Sequence, residues 1–268
     1  EAAHDCGGYQ MVAVEELSDS EDTLLVVCVE EINDLKDGIN FLFNLGKPKI
    51  KIIYDRADDN IPFRQEYPYK EISDRARSRA ISMISDEQLF DLIQYIDKTS
   101  DISGDVVEYG SLYGGSGAVI AEAVKYFGEK PVWLFDTFSG IPDSRYGLDY
   151  HWNGSFSDNS FSAVRDAFSD MSNVEVIKGN ICETYNKVSN PISFGYLASD
   201  TIESGEILMN FMWPKLSPGG IICVCDYGSF PNAIPLTVYL DEFIKQIADE
   251  AFVFRLPRCG IFIMKNRV

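Results

Sequence analysis

Apolar and polar positions alternate along the chain in blocks, and the period of those blocks switches repeatedly between that of a strand and that of a helix. In 1–57 the pattern is only partial. A short strand over 9–14 (YQMVAV) precedes a buried-type strand over 23–31 (TLLVVCVEE), a helix over 32–46 with Gly46 as its C-cap, and a strand over 49–55 (KIKIIYD). This is a β-α-β segment without an opening strand and glycine loop, the back half of a nucleotide-binding-type unit. Its front half would lie ahead of residue 1, the chain then being a fragment of a longer protein. A half-site without its glycine loop should bind poorly, so the expected role is structural, as a lid or a homodimer contact.

Residues 58–69 are polar, carry Pro62 and Pro68, and read as a linker. Two helical patterns complete the segment 58–100, over 71–84 and 86–98. Ser85 and Gln88 stand at capping-box spacing before the second. Arg75, Arg77 and Arg79 crowd the first, as a solvated face or as a grip on an anionic group. From 101 to 268 the alternation is complete: strand 106–107 running into Glu108, helix 118–127, strand 131–136, helix 160–169, strand 174–178, strand 192–198, helix 203–213, strand 220–226, helix 236–248, strand 250–255 and strand 259–265. Such alternation predicts an α/β fold, a Rossmann-like parallel sheet covered on both faces. The short link between the last two strands makes them an antiparallel hairpin. A parallel sheet closed this way is the arrangement of class I methyltransferases and not of dehydrogenases.

Composition narrows the partners. The 268 residues carry a formal net charge of -19, a surface that repels phosphate backbones and anionic lipid, so no nucleic acid and no membrane insertion are expected. No apolar run reaches membrane-spanning length, and the start of the chain lacks a basic-then-apolar leader, which makes a cytoplasmic location the expectation. The six cysteines form no CxxC pair. Cys223 and Cys225 alternate on one strand and should share a packed face.

The chemistry centres on 105–117, DVVEYGSLYGGSG. A strand runs through Glu108 into a loop with glycines at 110, 114, 115 and 117, and a helix follows at once, so backbone N–H groups could face a ligand without intervening side chains. The next strand ends in Asp136, placed to accept hydrogen bonds from both hydroxyls of a ribose. Together these imply a nucleoside-bearing cofactor. An NAD-dependent dehydrogenase is disfavoured, because the loop lacks a clean GxGxxG.

The segments VVEYGSLYGGSG, LFDTFSGIPD, NVEVIKGN and WPKLSPGGIICVCDYG, in this order and spacing, resemble the macrocin O-methyltransferase family over about 101–268. The resemblance implies S-adenosylmethionine as cofactor and a sugar hydroxyl, free or on a glycosylated small molecule of natural-product biosynthesis, as acceptor. It places Glu108, Tyr109, Gly110, Ser111, Gly114 and Ser116 at the methionine end, Asp136 at the ribose, and Thr137, Phe138, Gly179, Asn180 and Ile181 about the adenine. The family's metal acids survive poorly. Where it shows DGD this chain has Ala198 and Asp200, and where it shows DD it has Cys225 and Asp226. Neither a methyl group nor a thiol suits a hard cation, so no tightly bound metal is expected; Asp200 could turn in as a second ligand, which leaves weak magnesium binding open.

Methyl transfer requires an aligned oxygen and a proton acceptor. The resemblance puts Asp200 at the family's general-base position, the second Asp of DGD, and makes it the first candidate base. His151, in the loop YGLDYHWNGSFSD, is the alternative, with a resting pKa better suited to the task. Tyr150, Trp152 and Phe156 offer flat surfaces for a sugar, and Asp226 and Tyr227 would complete the acceptor wall. The expectation is an O-methyltransferase. The competing reading is a methyltransferase-like domain that has lost catalysis and binds or scaffolds.

Overall fold

The computed structural model describes residues 25–29, 50–54, 68–228, 231–256 and 260–267. The chain divides into two compact units, Glu1–Glu66 and Tyr67–Val268. In the first, β1 (Leu25–Val29) pairs in parallel with β2 (Ile50–Tyr54), Leu25 opposite Ile50. The strand expected over 9–14, the helix over 32–46 and most of the linker lie outside the described residues.

The second unit opens with α1 (Tyr69–Arg79) and α2 (Asp86–Thr99). The capping box forms as its spacing predicts, Ser85 accepting from the Gln88 N–H while the Gln88 side chain accepts from the Ser85 N–H. Leu89, Leu92, Ile93 and Ile96 make one buried stripe at helical spacing, against the sheet. Helix α1 is shorter than its pattern, which continued to residue 84. Ala80 turns extended (φ -150°, ψ 154°), and residues 80–84 run on as a strap. Tertiary contacts end the helix. Arg79 donates to Glu122, to the Ala167 carbonyl and to both oxygens of Asp170, and Ser82 crosses directly over Gly115.

Then follow β3 (Asp105–Tyr109), α3 (Gly115–Phe127), β4 (Val132–Asp136), α4 (Phe161–Ala167), β5 (Val174–Lys178), α5 (Ile181–Thr184), β6 (Ile192–Leu197), α6 (Ile202–Lys215), β7 (Leu216–Val224), α7 (Ile234–Gln246), β8 (Ala251–Leu256) and β9 (Gly260–Lys265). The seven-stranded sheet has the order β5-β4-β3-β6-β7-β9-β8. Strands β5 to β7 pair in parallel, and β9 is inserted antiparallel to both β7 and β8. The expected terminal hairpin is thus present, Leu256 facing Gly260. Most boundaries fall within two residues of the pattern; β7 begins four residues earlier, at Leu216 rather than 220.

The core follows from the topology. Every residue of β3 and β6 is buried, because these central strands are covered on both faces. One apolar layer lies beneath α1, α2 and α3, and Cys223 and Cys225 share it as their alternation predicted. The other lies beneath α6 and α7, where the Tyr109 and Phe135 rings stack 4.8 Å apart. No helix among the described residues is long and apolar enough to cross a membrane.

Candidate active site

Residues just beyond β3, β4, β6 and β7 line one cleft of about 330 Å3. Gly110 turns the chain off β3 at φ +99°, and a Cβ there would lie 2.2 Å from the Ala198 carbonyl oxygen. Only glycine lets these two strand ends meet. The loop is shaped by internal bonds: Gly110 and Ser111 N–H groups donate to the Phe135 carbonyl, Gly114 N–H donates to the Ser111 carbonyl, and Leu112 N–H donates to Asp136. Those donors are therefore not turned to a ligand, contrary to the simplest reading of a glycine loop. What the loop offers is a wall without side chains. The start of α3 is also covered, since a Cβ on Gly115 would lie 2.3 Å from the Ser82 Cα.

Asp136 holds this wall in shape. Its Oδ2 accepts from Leu112 N–H at 2.8 Å; its Oδ1 accepts from Phe138 N–H at 2.8 Å and from the Asn159 amide at 3.2 Å. Leu112 and Phe138 both have φ +49°, a conformation non-glycine residues avoid. One carboxylate thus fixes two strained turns on either side of itself. The other described non-glycine residues with positive φ, Phe156 and Asp226 (both +59°), also line the cleft. Strain gathered around one cavity marks a site whose geometry the surrounding fold imposes.

Glu108 lies beneath the loop, fully buried, its Oε2 accepting from the Ser111 hydroxyl at 2.6 Å while Oε1 has no hydrogen-bond partner. Burial, with help from the Asp136 charge, pushes its carboxyl up to about 7 against the opposing effect of the Ser111 and Ser116 hydroxyls.

The opposite wall comes from the ends of β6 and β7. Asp200 is largely buried there, and burial first, then repulsion from Asp226, push it up to about 7. The Cys225 thiol donates to Asp226 Oδ2 at 3.3 Å and receives a long contact from the Gln88 amide at 3.6 Å. Burial drives that thiol well above its ordinary value, so it stays protonated. A metal ion fits this donor set badly: a methyl group at 198 and a neutral thiol at 225 stand beside two carboxylates. Among the described residues no three His, Cys, Asp or Glu side chains converge as a metal site.

Of the residues the sequence singled out, the cleft brings together Gly110, Ser111, Ser116, Asp136, Thr137, Asn180, Ile181, Asp200 and Asp226. Others stand off it. Glu108 is under the floor, Gly114 caps α3, Gly179 and Phe138 lie behind the wall, and the Tyr109 phenol points into the far core to donate to the Tyr185 carbonyl. Trp152 is buried behind Phe156, rings 6.1 Å apart, and it is Phe156 that lines the cleft. Tyr227 is engaged by Asp241 and Arg255. The side chains of Tyr150 and His151 lie outside the described residues; their backbone belongs to a 3-10 turn over Gly147–Trp152. That turn is tied to the site by Asp149, which is buried and accepts from the Ile202 and Glu203 N–H groups at the start of α6. Sequence reasoning passed over Asp149, and also Ile81 and Met83, which line the cleft from the strap although 74% and 68% exposed. No spacing rule could have found them, because their partners are far away in the chain.

A glycine-walled cleft at the carboxyl ends of a parallel sheet, with β9 inserted antiparallel, defines a class I methyltransferase. Residues 50–250 match the macrocin-O-methyltransferase (TylF) family, about fifty residues further toward the start than the motifs had suggested. The chain belongs to that family and is an S-adenosylmethionine-dependent O-methyltransferase. It is 26% identical over 233 residues to the demethyldecarbamoylnovobiocin O-methyltransferase of Streptomyces niveus, covering 78% of this chain and 86% of that one. Its fold is similar to the structure of the O-methyltransferase NovP (TM-score 0.61, 22% identity, 74% of this chain and 88% of that one). It is also similar to CalS11, a calicheamicin methyltransferase (TM-score 0.56, 16% identity, 78% and 99%).

Proposed function

We propose that the chain methylates a hydroxyl of a sugar or glycosylated small molecule, without a tightly bound metal, and that Asp200 accepts the proton. The carrying observation is that one cleft joins a rigid cofactor wall at Asp136 to a largely buried carboxylate at Asp200. The residues fit S-adenosylmethionine: a glycine wall, a carboxylate with acceptor capacity left on Oδ2, and an unpaired Glu108 oxygen under the loop. Asp136 would take the ribose hydroxyls, Gly110, Ser111 and Ser116 would border the methionine end, and Thr137, Asn180 and Ile181 the adenine. The bound cofactor supplies a methyl group already activated on a sulfonium.

Asp200 then has one task. A carboxylate oxygen of Asp200 would accept the proton that the acceptor hydroxyl gives up on methylation. A carboxylate held near 7 retains a proton far better than an ordinary one, which matches it to a general base working near neutral pH. The relatives support the acceptor class, one named for a demethylated novobiocin and another for calicheamicin.

The test combines calorimetry and turnover. S-adenosylmethionine should bind equally with magnesium and with chelator, and methyl transfer to glycosides should persist in chelator. Asp200→Asn should retain cofactor binding and lose transfer. Undiminished turnover in that variant removes Asp200 as the base.

A further inference from the structure

The loop between β4 and α4 is pinched at its base. Ile141 N–H donates to the Ser155 carbonyl at 2.9 Å, and Gly154 N–H donates to the Ile141 carbonyl at 2.8 Å. Residues 141–155 therefore form an Ω-loop, an excursion whose two ends meet. Past this neck the loop is bound to the first two turns of α6. Arg145 N–H donates to Glu203 at 2.9 Å, the Tyr146 hydroxyl donates to Glu206 at 2.6 Å, and the Arg145 guanidinium pairs with both acids. The Arg145 side chain is half exposed, and ion pairs shared with water hold little.

Asp149 makes the buried part of this contact. It is 1% exposed; its Oδ1 accepts from Ile202 N–H at 3.0 Å, and its Oδ2 accepts from the Ser144 hydroxyl at 2.6 Å and from Glu203 N–H at 3.4 Å. Bonds from a carboxylate to the N–H groups at a helix start are charge-assisted, and burial keeps competing water away. Capping alone does not account for them. Helix α6 already has a cap in Thr201, whose hydroxyl accepts from Ser204 N–H at 3.2 Å. Asp149 adds a second set of bonds from 53 residues away.

The two segments it joins are two rims of the cleft. Pro142, Asp143 and Ser144 line it from the loop, and Thr201, Glu203 and Ser204 line it from the start of α6. The segment carrying Asp200 is fixed by the same bonds. Ala198 N–H holds one end on the Tyr109 carbonyl at 2.8 Å, and Ile202 N–H holds the other on Asp149. Asp200 lies midway between these anchors.

We propose that Asp149 is a positioning residue for methyl transfer: it latches the 141–155 loop onto α6 and so sets the acceptor side of the cleft and the place of Asp200 in it. Asp149 itself does not line the cleft. The cofactor wall is bound together through Asp136, Glu108 and the Phe135 carbonyl and draws on no atom of Asp149, so the latch acts on the acceptor. This inference rests on the methyltransferase reading of the site above.

The experiment uses the full chain with S-adenosylmethionine. The acceptor is whichever methyl glycoside, from a panel of hexoses and 6-deoxyhexoses, the wild type methylates fastest. Asp149→Ala should lower kcat/KM for that acceptor by about a hundredfold, the usual loss for a misplacement of about 1 Å, with about tenfold or more of it in KM. The calorimetric Kd for S-adenosylhomocysteine should stay within about twofold. Asp149→Asn keeps an oxygen for Ile202 N–H and an amide that can donate to Ser144, and should recover to within about threefold of wild type. Asp149→Ser keeps one acceptor and should show the same split in smaller measure, which serves if the Ala variant does not fold. A lowered melting temperature with acceptor KM within about twofold of wild type means that the bonds only stabilise the fold, and overturns the proposal. So does an S-adenosylhomocysteine Kd that rises as much as the acceptor KM, or an Asn variant as impaired as the Ala or Ser one. In those cases methyl transfer by the wild type stands. If S-adenosylhomocysteine binds but the wild type methylates no glycoside, the function proposed above fails, and this inference with it.

Discussion

The two walls of the cleft are built on opposite principles. On the β3–β4 side the polar atoms are bound to one another: Asp136 to Leu112, Phe138 and Asn159, Ser111 to Glu108, the loop N–H groups to Phe135. On the β6–β7 side Asp200 has no hydrogen bond among the described residues, and a methyl group and a thiol stand where further acids could be. The first wall is set by backbone geometry and tolerates little change. The second is set by a few side chains at strand ends, where substitution alters chemistry without disturbing the sheet. The acceptor side can therefore change while the cofactor side stays constant.

The sharpest way to break this comparison is to exchange the losses. Asp200→Asn should lower kcat by about 10²–10⁴-fold, the usual contribution of a positioned base, with cofactor affinity unchanged. In the wild type kcat/KM should rise with pH toward a plateau above about 7, as Asp200 ionises. Parallel loss of cofactor binding in Asp200→Asn would mean that the walls are not independent.

Next in size is Arg79→Ala, read by thermal unfolding. Arg79 joins α1 to buried Glu122 on α3 and to the end of α4. Removing one partner of a buried pair costs about 3–5 kcal/mol, and partial exposure on the Asp170 side places the expected loss at the lower end. Because the strap 80–84 follows directly, the KM for S-adenosylmethionine should rise more than kcat falls.

Asp136→Ala should weaken the cofactor by about ten- to a hundredfold, the range expected when charge-assisted hydrogen bonds of about 1.5–3 kcal/mol are removed. Chemistry on the bound complex should be less affected. A kcat loss as large as that of Asp200→Asn would show that the cofactor wall also orients the reaction.

The smallest effect runs in the opposite sense. Asp200 is raised from 3.8 to about 7 in the folded chain, so the folded state binds its proton more readily than the unfolded state. Its contribution is present below about pH 4 and lost as pH rises through about 7. Asp200→Asn should therefore melt a few degrees above wild type at pH 8, given about 2–4 °C per kcal/mol at this size, with the gap closing toward pH 4. An unchanged melting temperature at both pH values would mean that the acceptor wall carries no electrostatic strain.

Much of this was legible before the structure. The switch from strand to helix period marked the sheet, the short terminal link required the antiparallel β9, and Ser85 with Gln88 announced α2. These signals are local or reflect burial on both faces, and burial leaves its period in the sequence. Helix α1 shows the limit: its pattern ran to residue 84, and Arg79 meeting Glu122 and Asp170, 43 and 91 residues away, ended it earlier.

By itself, then, the sequence determined the class of sheet, the glycine turn off β3, the carboxylate at Asp136, and the thinning of the metal acids to Asp226 beside the base candidate Asp200. Only the tertiary structure decided what those residues face. It turned Tyr109 into the far core, put Trp152 behind Phe156, bound Asp136 to its two strained turns, and left Asp200 in the cleft beside Asp226. Residue types fix what a side chain can do, but its neighbours are chosen by strand order, and β3 lies between β4 and β6 only once the sheet is assembled.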